Sequence, residues 1–243
     1  MKAICDKHGA LFILDEVFAG MGRTGSVHAW EQEDVIPHLQ TVAKGLGAGY
    51  QPVGALMVGK KVVDALSKGS GAFMHFQTWH GHPVACAAAM AVQEVVRDEG
   101  LVENCKVVGN HLGDLLQQRL AAHKNVGQIR GRGMVWGVSL LSRLLFSTYH
   151  SHIPLQIELV KDKATKQPFP ASAKIAPSIH AKGLSREIGI SLIPGGGLAD
   201  GTDGDVLVVS PPYNITKRHA ELIVERTARA LEAVLGATKE ARL

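Results

Sequence analysis

Short apolar runs that stop abruptly at charged residues or glycines dominate the first sixty positions. Leu11-Phe12-Ile13-Leu14 is unbroken and ends at Asp15-Glu16. A run of this length and ending predicts a buried strand that delivers carboxylates at its C-terminal edge. A second apolar approach ends at Thr41-Val42-Ala43-Lys44 and is followed by Gly45, Gly47 and Gly49, and a third run covers residues 52–59. Residues 1–8 read as the end of a helix stopped by Gly9, and 60–67 as a short helix. The period then lengthens. Residues 84–100 are alanine-rich and helical, with Pro83 where a first helical turn accepts it. Residues 101–122 continue as an amphipathic helix with Val107, Leu112, Leu115, Leu116 and Leu120 as its apolar stripe. Beyond it, 126–137 reads as strand, turn and strand, 157–160 as a strand, 178–187 as a helix, and 188–194 and 205–210 as strands. A closing helix over 216–235 is capped by Thr216 and patterned by Leu222, Ile223, Ala230, Leu231 and Val234. A domain boundary is expected along the helical stretch, around residues 90–105.

Composition narrows the function. An apolar share of 46% and a charged share of 20% suit a globular chain able to bury a sizeable core. The net charge of +4 is spread along the chain without a basic block, which argues against nucleic-acid binding. Three scattered cysteines, Cys5, Cys86 and Cys105, make no disulfide framework and point to a reducing compartment, read as the cytoplasm. No stretch reaches the apolar length of a membrane span, and the first residues lack the apolar centre of a signal peptide.

The candidate chemistry lies where the first two apolar runs end. In open α/β sheets, ligands collect at the carboxyl ends of strands. Asp15 and Lys44, 29 positions apart, would both sit at such ends. A lysine can hold an aldehyde cofactor as a Schiff base and later carry a proton as a free amine. A carboxylate against a pyridine nitrogen keeps that nitrogen protonated, so that the ring accepts electrons. This pairing suggests pyridoxal phosphate chemistry. Glu16 is expected to make structural hydrogen bonds and Arg23 a structural ion pair. Gly45, Gly47 and Gly49 lack the following helix and distal acid of a dinucleotide site. His75, His80 and His82 lack the spacing of metal ligands and are read as loop residues, and Met134 and Trp136 as core.

The run DEVFAGMGRTGSVHAWEQEDVIPHLQTVAKGLGAGYQPVGALMVG resembles the signature of the class III pyridoxal-phosphate-dependent aminotransferases. The likeness continues through Gln77-Thr78-Trp79-His80-Gly81-His82-Pro83, Arg130-Gly131-Arg132-Gly133 and Ser210-Pro211-Pro212-Tyr213. The resemblance implies part of a fold-type-I α/β large domain over residues 1–95 plus a C-terminal α+β small domain over 96–243, with pyridoxal 5'-phosphate as cofactor; no metal is expected. It implies that Lys44 bonds the cofactor, Asp15 pairs with the ring nitrogen, and Val17 packs against the ring face. Thr78 would bind the cofactor phosphate of a neighbouring subunit, which implies a homodimer with shared active sites. The reaction implied is amino-group transfer from a small-molecule donor to a keto-acid acceptor.

Three departures qualify the resemblance. The family carries a glycine-serine phosphate cradle upstream of the Asp strand. This chain is therefore expected to be N-terminally truncated, with an open apolar strand edge around residues 11–14 and with any mitochondrial targeting segment lost. The alternative to an active enzyme is a catalytically incompetent fragment or pseudoenzyme. Residues 138–156 interrupt an otherwise continuous family-like strand, GMVWG joining IELVKD, and read as an insertion. Val at its start fits a GT donor and Gln at its end a CAG acceptor, so the segment reads as a translated intron. Finally, Val206-Leu207-Val208-Val209 precede the Pro-Pro pair without the arginine that grips an α-carboxylate in many relatives. Together with Phe18, this favours an amine or ω-amino acid donor.

Overall fold

The computed structural model describes residues 1–137 and 157–237. The insertion expected at 138–156 lies outside the described residues. The chain divides into two compact units, Met1–Glu103 and the remainder from Asn104 onward.

The first unit opens with helix α1 (Lys2–Lys7) and strand β1 (Ile13–Asp15). Strands β2 (Leu39–Val42) and β3 (Ala55–Val58) complete a three-stranded sheet in the order β1-β2-β3. β1 and β2 are parallel, with Asp15 opposite Thr41, whereas β3 runs antiparallel to β2. The sheet is thus mixed, and only its β1–β2 pair matches the parallel arrangement that the continuous apolar runs suggest. Leu14, Gln40 and Val42 point to one face and are buried, while Ile13 on the other face is 56% exposed. Helix α2 (Lys60–Lys68) follows, and then α3 (Pro83–Asp98), which His82 caps by accepting from the Ala85 N–H. β1 forms one edge of this sheet, where the sequence pattern leads one to expect apolar exposure.

In the second unit, helix α4 (Leu101–Leu120) precedes β4 (Val126–Arg132) and β5 (Val135–Gly137). These are followed by β6 (Ile157–Asp162), β7 (Gln167–Pro168), α5 (Ile175–Gly183), β8 (Ile193–Gly195), β9 (Asp205–Val209) and α6 (Lys217–Leu235). The six strands form one sheet in the order β7-β6-β4-β5-β9-β8, with β6 also pairing with β9. The core gathers Leu112, Leu116 and Leu120 of α4, Ile157 and Leu159 of β6, Ile179 of α5 and Leu231 of α6. Each such side chain contributes roughly 1.5–3 kcal/mol by leaving water.

The apolar stripes differ in detail from the sequence expectation. On α4 the buried face runs through Cys105, Val108, Gly109, Leu112, Gly113, Leu116 and Leu120, and Val107 is exposed. Gly109 and Gly113 belong to this face because a Cβ at either would strike Gly133 or Trp136. Hydrophobic counting overlooks them for lack of side chains. On α6, Val224, Thr227 and Ala228 replace the exposed Leu222. The 178–187 helix begins earlier, at Ile175, and only the end of 188–194 forms a strand. The Thr216 cap is present and is completed by His219, which accepts from the Thr216 N–H. No helix among the described residues is long and apolar enough to cross a membrane.

Candidate functional site

Parallel pairing sets Asp15 and Lys44 at the same end of neighbouring strands. Asp15 closes β1, and Lys44 follows the end of β2 after one intervening residue, Ala43. The Asp15 carboxylate is held from two sides: its Oδ1 accepts from the Val17 N–H at 3.0 Å and from Thr41 Oγ1 at 3.0 Å. The Val17 amide chiefly, then the Thr41 hydroxyl, hold its pKa below the usual carboxylate range, and the Lys44 charge adds to the effect. Asp15 is therefore a fixed anion at neutral pH. Thr41 shares its sheet face because the two residues are register partners.

Lys44 opens a short 3-10 turn, Lys44–Leu46, with φ at +34°. An L residue pays for such a conformation and keeps it only where its surroundings over-determine it. Here the Leu46 N–H donates to the Ala43 carbonyl at 2.7 Å and the Ala48 N–H to the Lys44 carbonyl at 2.8 Å. Gly47 must lack a side chain, since a Cβ would meet Val53 Cγ1 at 2.6 Å and the Gln51 carbonyl at 2.9 Å. The Lys44 Nζ projects over the Phe18 ring, 4.9 Å from its centroid. A cation above an aromatic face is attracted to the ring quadrupole, which gives the flexible lysine a preferred direction.

Glu16 supports the glycine loop between the two strands. It is 4% exposed, and its carboxylate accepts from the Ala29 and Trp30 amides at 2.8 Å each and from Gln40 Nε2 at 2.9 Å. Adjacent carboxylates thus face opposite ways. Asp15 is exposed on one side of the sheet, and Glu16 is buried as a tie for the backbone, as its separate reading anticipates.

The remaining candidates take different places. Val17 is half-buried, and its amide fixes Asp15. Thr78 lies in the exposed loop 70–81, where Phe76 is 85% and Trp79 68% exposed. Its loop bonds are local: the Trp79 N–H donates to Gln77 Oε1 at 2.9 Å. Sequence reasoning misses Thr41, although strand alternation with Asp15 could have marked it. It also misses Gln93 of α3, whose Nε2 donates to the Gly45 and Leu46 carbonyls at 2.9 and 3.0 Å. No local signal marks a glutamine so distant in sequence.

A family model for class-III aminotransferases matches residues 1–231. A Gibberella zeae protein named as an aminotransferase is 47% identical over 97% of this chain and 42% of its own length. Among solved structures, an (S)-enantioselective omega-transaminase from Thermomicrobium roseum aligns with a TM-score of 0.77 at 33% identity, covering 96% of this chain and 45% of that one. An amine transaminase from an uncultivated Pseudomonas species, solved in its PLP-bound form, aligns with a TM-score of 0.79 at 31% identity, covering 96% of this chain and 46% of that one. The chain spans less than half the length of the curated relatives it matches.

Proposed function

Since the chain belongs to the class-III aminotransferase family, we propose that it takes part in pyridoxal-phosphate-dependent transamination, with Lys44 as its catalytic residue. The observation that carries the reading is the pairing of a fixed carboxylate, Asp15, with a lysine on a strained turn at the same end of β1 and β2. The donor set fits the cofactor. An ionised Asp15 accepts from a protonated ring nitrogen, Lys44 offers a primary amine, and Val17 supplies an apolar contact. When bound, pyridoxal phosphate supplies an electrophilic carbon and an electron-accepting ring.

This chain's residues then have distinct tasks. Lys44 Nζ would hold the cofactor through its primary amine and, when free, would serve as the base that takes and returns the donor's proton. Asp15, held anionic by Val17 and Thr41, would favour a protonated ring nitrogen in a bound cofactor. Phe18 limits the directions in which the lysine can reach. A keto acid runs the same steps in reverse. Thr78 contributes its hydroxyl to the cofactor phosphate of a second subunit. The homodimer this requires is supported by the apolar exposure of Met74, Phe76 and Trp79 around it, since contiguous exposed apolar surface marks interaction sites. The donor is an amine or ω-amino acid, supported by the absence of arginine from Asp205–Val209.

The test is keto-acid-dependent conversion of an ω-amine to its carbonyl product by purified protein supplied with pyridoxal phosphate. Turnover abolished by Lys44→Ala, and reduced at least a hundredfold by Asp15→Asn, is expected. No turnover by the wild-type chain would favour the reading of an incompetent fragment or pseudoenzyme.

A further inference from the structure

The Lys44 turn has a second fastening from outside its own segment. Its internal hydrogen bonds use the amides of Leu46, Gly47 and Ala48 and the carbonyls of Ala43 and Lys44. The carbonyls of Gly45 and Leu46 point to α3 instead, where the single side-chain amide of Gln93 donates to both, at 2.9 and 3.0 Å. The orientation of that amide is set by chemistry, because both neighbours are acceptors and only the NH2 end can donate. The turn also packs against Val53, which approaches so closely that Gly47 has no room for a Cβ. The turn is therefore held by Gln93 as well as by its packing on Val53.

We propose that Gln93 is a positioning residue for Lys44. It holds the lysine's backbone in its left-handed conformation so that Nζ reaches the reacting carbon. This rests on the Lys44 reading given above. A misplacement of about 1 Å in a reacting group can cost on the order of a hundredfold in rate. A lysine stem, with several rotatable bonds, recovers part of that loss. Removing the two bonds should therefore slow the reaction by about tenfold rather than abolish it.

The full chain carries the test in two measurements. Amide hydrogen exchange reads the turn directly. Gln93→Leu should speed exchange at Leu46, Gly47 and Ala48 while leaving α3 and the α1–β1 segment protected as in the wild type. Gln93→Lys, which keeps donors for both carbonyls, should restore much of the protection. The rate at which added pyridoxal phosphate forms its visible-absorbing adduct should fall about tenfold in Gln93→Leu and recover in Gln93→Lys. Unchanged exchange and unchanged rate in Gln93→Leu would overturn the inference, as would faster exchange spread evenly through α3, which indicates a merely structural role. A wild-type chain that forms no adduct on Lys44 would overturn the Lys44 reading itself. Normal wild-type adduct with an unaffected Gln93→Leu would overturn only the role of Gln93.

Discussion

In the second unit, buried leucines and isoleucines from α4, α5, α6, β6 and β9 meet in one continuous core. In the first unit the best-buried groups include Glu16, Thr24, His38 and Gln40, and their hydrogen bonds do much of the fastening. His38 illustrates the difference. Its Nδ1 accepts from the Phe12 amide at 2.8 Å, and its Nε2 lies 3.0 Å from Asp6, joining α1 to the sheet. Large apolar side chains at the surface divide the same way. The second unit exposes Val107, Leu184, Ile193 and Leu222 among its described residues, whereas the first exposes Ile13, Tyr50, Phe76, Trp79 and many more. Polar ties to the backbone, such as those of Glu16, fix turns and strand ends directly. The unit that carries the candidate chemistry is built in this way.

The contrast is broken most strongly at Leu112, which is fully buried in the aliphatic core. Leu112→Ala should destabilise the second unit by about 2–5 kcal/mol, read as a lowered denaturation midpoint. In the first unit the corresponding change is polar. Glu16→Ala strips an acceptor from the Ala29 and Trp30 amides and should cost about 1–3 kcal/mol. Exchange of those two amides should rise first. If an apolar substitution such as Glu16→Leu were equally stable, the distinction between the units would fail.

The second unit also buries polar groups, among them Asn125, Asp205 and Glu158. Glu158 is 1% exposed, and its Oε1 has no hydrogen-bond partner among the described residues. Burial raises its pKa from 4.5 to about 7, against the opposing pull of Lys166 and Arg130. Between these values the unfolded chain has released a proton that the folded chain retains. The contribution to stability is complete below about pH 4.5 and falls as pH rises toward 7. A loss of roughly 1–3 kcal/mol across that window is expected, and Glu158→Gln should flatten it in denaturant titrations. The smallest effect belongs to the surface. Lys60 and Asp64 pair at 2.7 Å on the exposed face of α2, so Lys60→Ala should change stability by less than about 0.5 kcal/mol.

How far the sequence reveals these features depends on range. Asp15 and Lys44 are legible because each ends an apolar run and meets glycines at once, a local pattern with a physical cause. Thr216 is legible as a cap for the same reason. Helix faces are less so. Val107 and Leu222 fit an apolar stripe by period but are exposed, and on α4 the close approach at Gly109 and Gly113 puts two glycines on the buried face instead. The antiparallel entry of β3 follows from its pairing with β2, not from its own residues. Gln93 and Thr41 acquire their importance only through register and long-range packing.

The central claim is that Lys44 is the lysine that bonds the cofactor. Borohydride reduction of the chain after incubation with pyridoxal phosphate, followed by peptide mapping, tests it most directly. The account predicts one stoichiometric pyridoxyl adduct, on the peptide containing Lys44, and none in Lys44→Ala. An adduct scattered over surface lysines, with Lys44 unmodified, would contradict it.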